Sequence, residues 1–431
     1  MTITHFAWKP FYNWGSLADN VVLYLQSRKI EFAEVYAPYY LASIGSHIAN
    51  LGSNCLPEDK MKFGGRVGNQ AYSKLGKPCD LRLHIVFLAP PGGGKSLFLS
   101  LFTDGMIGFL ANTHIPVRRY ASISTAGLIG SAVSGGKKGE GVNIPGEAEI
   151  FKTGIFGFDE LSSVLMHRED YNIEMINTIL QLLDEGNITK RTLYGDFNYK
   201  TYVTLWGGTQ PLRLNLSHGL ARRFLVLRFS PNSIDEKRLS EVQWEGLGVK
   251  HSITEISLIR KEINDIWEGY AVEDIAFDPK IKELKDKLGI IHIDSEWIDR
   301  LCIGWNVVTN YEPEETQLFV GLEPVLEQMI INALNWRYSA VIDGAKADII
   351  RSLDPNMSYS ATEIKRLCCK NLGISYKDIS ILLEEMVRDG VFEVGSKFSA
   401  TNRRTTYKLV NAKLLKELIK DEVNDEEFLF R

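Results

Sequence analysis

Residues 83–96 read Leu-His-Ile-Val-Phe-Leu-Ala-Pro-Pro-Gly-Gly-Gly-Lys-Ser, and the rest of the chain has to be built around them. An apolar run of strand length ends in a glycine-rich turn, and Leu97-Phe98-Leu99 then opens a helical pattern. Strand, glycine-rich turn and helix in that order make a phosphate-binding loop. The glycines let backbone N–H groups converge on phosphate oxygens without obstruction by Cβ, and the helix contributes its positive end. Lys95 is placed to bridge phosphate oxygens, and the Ser96 hydroxyl to coordinate Mg²⁺. The expected ligand is ATP with Mg²⁺, held by Pro91, Gly92, Gly93, Gly94, Lys95, Ser96 and Leu97. Ala89 stands where the first glycine of such a loop usually lies.

A second feature fixes the chemistry. The run Gly154-Ile155-Phe156-Gly157-Phe158-Asp159-Glu160 is an apolar strand ending in adjacent carboxylates. Downstream of a phosphate-binding loop, Asp159 is expected to hold the hydrated metal and Glu160 to orient or deprotonate the attacking water. A further strand, Tyr202-Val203-Thr204-Leu205-Trp206, leads into Gly207-Gly208-Thr209-Gln210-Pro211. A polar side chain there can report the γ-phosphate, and Gln210 and Thr209 compete for that role. Arg222 and Arg223 stand immediately before the strand Leu225–Phe229. They read as a solvated pair or, in an assembled ring, as cations projecting into a neighbour's ATP site.

Two polar excursions carry cations. Gly135–Gly141 contains Lys137 and Lys138, and Asn187–Lys200 reads as a hairpin with Lys190 and Arg191 near its turn. Charge alone favours solvated hairpins. The net charge of -5 offers no global attraction to nucleic acid, so any DNA contact must be local. The five cysteines are scattered without a C-x-x-C pair, which argues against a zinc ribbon and a disulfide framework and suits a reducing cytoplasm. No apolar run reaches membrane-spanning length.

The order of these parts resembles the AAA+ ATPases and, within them, the minichromosome-maintenance (MCM) helicases. The likeness is carried by Ala89–Ser96, by Ser124-Thr125-Ala126-Gly127-Leu128 with its following loop, by Phe158-Asp159-Glu160 and by Leu220-Ala221-Arg222-Arg223-Phe224. It covers residues 80–230. The resemblance implies that Gly135–Gly141 is the helix-2 insert hairpin and Asn187–Lys200 the pre-sensor-1 hairpin. In such rings both face a central channel, which makes Lys137, Lys138, Lys190 and Arg191 candidate DNA contacts. It further implies that Arg223 is the arginine finger and Gln210 sensor 1, with catalysis shared by Lys95, Glu160, Gln210 and Arg223. The zinc-binding and OB-fold half of cellular MCM proteins has no counterpart here. The implied protein is a reduced form such as a virus or mobile element carries, acting in the cytoplasm, or in that of the host.

The expected fold class is α/β: an AAA+ P-loop NTPase core with a helical lid and a C-terminal winged helix. Residues 1–80 read as a short helical segment, with loop over Gly52–Asp80 and aromatics that pack rather than stack on bases. Residues 81–231 form the ATPase core and 232–339 a helical lid, in which Arg300 is the candidate sensor 2 and Arg260 competes. Residues 340–412 read as helices around Ala345–Leu353, Ser360–Leu372 and Tyr376–Arg388 with closing strands, and 413–431 as a C-terminal helix and acidic tail. Lys397, Arg403, Arg404 and Lys408 follow one another without an intervening acid, so Arg403 and Arg404 are candidate DNA contacts in the wing. The partners expected are single-stranded or forked DNA, copies of the same chain in a ring, of six in the family it resembles, and replication proteins docking on the winged helix. The expected activity is Mg²⁺-dependent ATP hydrolysis coupled to DNA translocation or unwinding. Its rivals are an ATP-switched initiator or loader and a protein remodeller.

Overall fold

Five strands form one parallel sheet. They are β1 (His84–Leu88), β2 (Val117–Tyr120), β3 (Ile155–Phe158), β4 (Thr204–Thr209) and β5 (Phe224–Arg228), in the spatial order β5-β1-β4-β3-β2. This computed structural model describes residues 16–30, 32–51, 69–74, 77–90, 93–134, 141–161, 171–184, 186–191, 196–210, 223–229, 241, 250–290, 292–354, 356–368, 376–388, 391–398 and 403–410. Strands β1, β3 and β4 are buried along their whole length. That is why they read as continuous apolar runs: both faces of a parallel sheet are covered. The chain enters at β1, crosses to the edge strand β2 and works back through β3 and β4. The carboxyl end of β1 therefore lies beside the topological switch point, where open α/β sheets bind ligands.

The described residues divide into two compact units. The first holds those of 1–209 and 222–334, and the second those of 335–431 together with Gln210.

In the first unit the helix Ala33–Leu51 is more than a preface to the sheet. The spacing of Tyr36, Tyr40, Ile44 and Ile48 predicts one apolar face, yet every residue from Tyr36 to Leu51 is buried. Its opposite side packs on the helix His292–Thr309. The crossing is so close that a Cβ on Gly45 would lie 2.1 Å from the Gly304 carbonyl oxygen. The polar residues of this helix hold the lead-in to β1. Ser43 Oγ donates to the Leu83 carbonyl and Ser46 Oγ to that of Leu81, while the Leu81 N–H donates to Asn50 Oδ1 at 2.8 Å. Ser43 also accepts the Trp206 indole N–H at 2.8 Å, which ties the helix to β4. Tyr40 packs against Phe102 and Trp206, with ring centroids 5.1 and 5.0 Å away, so it serves packing as expected. Trp8, Phe11, Tyr12 and Trp14 lie outside the described residues.

Elsewhere in this unit the helices Ile253–Gly269 and His292–Thr309 follow the helical pattern, burying Ile256, Ile259, Ile263, Trp297, Ile298 and Leu301. Two short sheets depart from it. Asn69–Lys74 pairs with Lys77–Cys79 inside the expected loop, and Asp274–Phe277 pairs in parallel with Gln317–Val320 inside the expected helical region. Strands of three to six residues are too short to impose a visible two-residue period. Both polar excursions are bounded by antiparallel pairs, and residues 135–140 and 192–195 lie outside the described residues. Gly130–Ser134 pairs antiparallel with Gly141–Pro145, and Asn187–Arg191 with Asp196–Lys200.

The second unit is a small helix-and-sheet body. The expected helix around Ala345–Leu353 is the end of a 29-residue helix, Pro324–Ser352. No proline interrupts that stretch after its first residue, and a lone Gly344 is too weak a breaker to stop it. Ala361–Cys368 begins with the expected capping box: the Ser360 N–H donates to Glu363 Oε2 at 2.7 Å, and the Glu363 N–H to Ser360 Oγ at 3.3 Å. Tyr376–Arg388 buries Ile379, Leu382, Leu383 and Met386 against Ile349, Leu353, Ile364, Phe392 and Leu409. Tyr359–Ser360, Arg403–Leu409 and Phe392–Phe398 close an antiparallel sheet in that order. Among the described residues no helix is long and apolar enough to cross a membrane.

The buried histidine that links the helix Ala33–Leu51 to the sheet makes stability pH-dependent. His47 Nδ1 lies 2.7 Å from Thr204 Oγ1 and Nε2 lies 2.8 Å from the Thr153 carbonyl oxygen. A neutral ring that donates from Nε2 and accepts at Nδ1 satisfies both contacts. Burial pushes the His47 pKa down to about 4. Below the ordinary histidine value of about 6.5 the unfolded chain binds a proton that the folded chain does not. The stability is therefore complete above that pH and falls by roughly 1.4 kcal/mol per pH unit as pH drops toward 4. His84, buried on β1 and shifted the same way by burial, adds to the effect. Thermal unfolding between pH 7.5 and 4.5 should show this decline, and His47→Gln should flatten it. An equal slope in the variant would remove His47 from the account.

Candidate functional site

The turn after β1 is shaped by its glycines. Gly94 takes φ +78°, a left-handed conformation costly for other residues, and immediately precedes the helix Lys95–Thr103. Gly94, as the N-cap, offers no side-chain cap to that helix. A Cβ at position 93 would come within 2.8 Å of Ala89 Cβ and 3.0 Å of the Pro90 carbonyl oxygen. Gly93 thus makes the room that Ala89 removes. Lys95 Nζ donates to the carbonyls of Ala89 at 2.7 Å and Pro90 at 3.2 Å, so its charge rests on the turn itself. Ser96 and Leu97 are exposed in the first helical turn. Pro91 and Gly92 lie outside the described residues.

Neighbouring strands bring the carboxylates alongside. Asp159 and Glu160 follow β3, and both are half-buried. Between β3 and β1 runs β4, where a Cβ at Gly208 would meet Lys95 Cβ at 3.2 Å and the Asp159 carbonyl oxygen at 3.1 Å. The absence of a side chain at 208 is what lets Lys95 and Asp159 approach the same point of the sheet. Strand alternation turns Thr209 to the other face, with Gly207, whose Cβ would meet Leu161 Cβ at 2.8 Å. The Thr209 hydroxyl is buried there, with no hydrogen-bond partner among the described residues. Gln210 follows β4 directly and is half-buried.

Sequence reasoning missed Arg119. Its guanidinium forks onto Asp159, with Nε 2.9 and 3.1 Å from the two carboxylate oxygens and Nη2 2.5 Å from Oδ1. Arg119 lies opposite Gly157 in the β2–β3 register, two residues before Asp159 and so on the same face. A metal at Asp159 would share the carboxylate with this cation. The donor set still suits Mg²⁺, a hard ion that takes one or two protein oxygens and completes its shell with phosphate and water.

The candidate arginines lie at the other end of the sheet. Arg223 directly precedes β5, whose Phe224 pairs with His84 at the start of β1. The glycine-rich turn is one strand length away, roughly 16 Å at about 3.3 Å per residue. Arg223 is only 9% exposed and forks onto Asp184, with Nε–Oδ1 2.6 Å and Nη2–Oδ2 2.5 Å. Arg300 stands at the same end, with Nη1 3.4 Å from the Arg82 carbonyl oxygen and Nη2 3.9 Å from Glu296. Its competitor Arg260 donates to the carbonyls of Met106 and Gly108 and caps the loop after the helix Lys95–Thr103.

The basic hairpins are placed in part. Lys137 and Lys138 lie outside the described residues, between the paired ends Ser134 and Gly141. Lys190 is half-buried opposite Phe197, and Arg191 stands opposite Asp196. In the second unit Arg404 lies opposite Lys397 and Arg403 opposite Phe398.

No protein-family model matches the chain, and no curated protein is significantly similar to it.

Proposed function

We propose that this chain is a Mg²⁺-dependent ATPase of the AAA+ class, similar to MCM helicases. It assembles into a ring, hydrolyses ATP between subunits and couples hydrolysis to movement on DNA. The observation that carries the reading is the strand order β5-β1-β4-β3-β2. It sets a glycine-rich turn with Lys95 and Ser96 after the interior β1, and the Asp159–Glu160 pair after β3, two strands away. That arrangement is the one a P-loop ATPase with its catalytic carboxylates needs. The separation of Arg223 from its own turn supports the ring, because a guanidinium one strand length away acts only on a neighbour's phosphate. The helix-and-sheet body of the second unit, with Lys397 across from Arg404, supports a winged helix with a basic wing.

In this mechanism the first-turn N–H groups and Lys95 cradle the β- and γ-phosphates. Ser96 and Asp159 would hold Mg²⁺, which would supply charge neutralisation for the phosphoryl transfer. Glu160 orients the attacking water and accepts its proton. Gln210 contacts the γ-phosphate, and Arg223 of the adjoining subunit stabilises charge as the phosphoryl transfers. Arg300 has the weaker case, as a second cation offered from the same end of the sheet.

One observation favours a second reading, an ATP-switched DNA-binding initiator that does not unwind: Asp196 stands opposite Arg191 and offsets the hairpin's charge. ATP turnover measured with and without single-stranded and forked DNA separates the readings. A motor shows strong stimulation, and Lys190→Ala/Arg191→Ala removes the stimulation while leaving basal turnover in place. Stimulation that survives the double substitution shifts the reading to the initiator. Turnover indifferent to every DNA points to a protein remodeller.

A further inference from the structure

Asp184 holds both oxygens of its carboxylate on Arg223 and lies at the foot of the hairpin Asn187–Lys200. The foot itself is clamped. Arg82, fully buried, donates from Nη2 to the Asp184 carbonyl at 2.5 Å and from Nη1 to the Val203 carbonyl at 2.7 Å, one on each side of the hairpin. Asp80 fixes that guanidinium in turn, with Nε–Oδ1 2.9 Å and Nη2–Oδ2 2.6 Å. The Thr201 N–H donates to the Gly186 carbonyl at 2.9 Å and closes the foot. One residue therefore joins the hairpin's anchored base through its backbone and the candidate finger through its side chain.

We infer that Asp184 is a positioning residue: it sets the direction of Arg223 toward the adjoining subunit's ATP and ties that direction to the hairpin, so that DNA on the hairpin tunes hydrolysis next door. This rests on the ring-ATPase reading above. A bidentate carboxylate fixes a guanidinium in plane and along its axis, which a single contact does not. These hydrogen bonds hold the hairpin foot to Asp184, so a displacement of the hairpin reaches its carboxylate. As a positioning residue Asp184 acts through Arg223, so its effect is expected on turnover and not on the KM for ATP.

Steady-state ATP hydrolysis with and without single-stranded DNA, for Asp184→Asn, Asp184→Glu, Arg223→Ala and Asp184→Asn/Arg223→Ala, tests the inference. Asp184→Asn should lower kcat by about 10- to 100-fold, the cost of a misplaced catalytic group. Its KM for ATP should stay at the wild-type value, and its remaining turnover should no longer respond to DNA. Arg223→Ala should fall by about 10³-fold or more. The double variant should be no slower than Arg223→Ala, because the two residues act as one. Asp184→Glu, which keeps the charge with a longer stem, should recover part of kcat. Wild-type kcat in Asp184→Asn overturns the inference, and so does a rise, which would make the pair a restraint on Arg223. If Asp184→Asn does not fold, wild-type kcat with intact DNA response in Asp184→Glu overturns it as well. No effect of Arg223→Ala sinks the ring-ATPase reading instead, so the two failures are distinguishable.

Discussion

Glu160→Gln should abolish ATP turnover while leaving ATP binding intact. The two residues are nearly isosteric, and position 160 follows β3 outside the turn that Lys95 and Gly94 shape. Removing a general base costs roughly 10²- to 10⁴-fold in rate. Lys95→Ala should give the complementary phenotype. On the proposed reading it removes a cation whose hydrogen bonds to phosphate would contribute about 1.5–3 kcal/mol, so binding should weaken by roughly ten- to a hundredfold. Fluorescent-nucleotide titration and a turnover assay on the same preparations separate the two. Glu160→Gln that hydrolyses ATP within a few-fold of wild type would exclude Glu160 as the base. Lys95→Ala that binds ATP normally would place the phosphates elsewhere. Arg119, missed in the sequence, forks on the neighbouring carboxylate of Asp159.

The candidate site was legible in the sequence where its chemistry is local. The turn at 89–96 and the carboxylates at 159 and 160 announce themselves because glycine, lysine and acids at fixed offsets have few other reasons to occur together after apolar runs. Both hairpins and the helix Tyr376–Arg388 were equally visible, each from a period or a charge pattern within its own segment. What escaped depends on register between distant segments. Arg119 reaches Asp159 only because β2 pairs with β3 so that Arg119 faces Gly157. Asp184 meets Arg223 across 39 residues, and Arg82 reaches Asp184 and Val203 across 102 and 121. A sequence read segment by segment shows such residues as ordinary charges. The burial of the helix Ala33–Leu51 on every side escaped for a different reason. Its Ser43, Ser46, His47 and Asn50 look like a solvated face, and their burial makes sense only once the unpaired backbone before β1 is there to receive them.

The same helix carries the second large effect. Gly304→Ala should destabilise the first unit by about 3 kcal/mol, the upper end of what overpacking costs, because the atoms met are backbone and cannot rotate away. A Cβ on Gly304 would lie 1.9 Å from the Ala42 carbonyl oxygen and 2.8 Å from both the N and Cβ of Ser46. Gly45 is as tightly placed from the other side, and its Cβ would also meet Val308 Cγ1 at 3.0 Å. Either substitution must push the helices Ala33–Leu51 and His292–Thr309 apart. The melting temperature should fall by roughly 5–10 °C, taking a few degrees per kcal/mol for a unit of this size. The double variant should lose less than the sum, since one separation relieves both clashes. Gly105→Ala, with nothing within 4 Å of its Cβ, is the matched control and should melt with wild type. The loss should extend to nucleotide binding. Separating the helices moves Ser43, Ser46 and Asn50, which hold Leu81 and Leu83 at the entry to β1 and so fix where the glycine-rich turn begins. A Gly304→Ala protein that melts within a degree of wild type would mean the two helices slide freely, and the close crossing would then have no part in setting the turn.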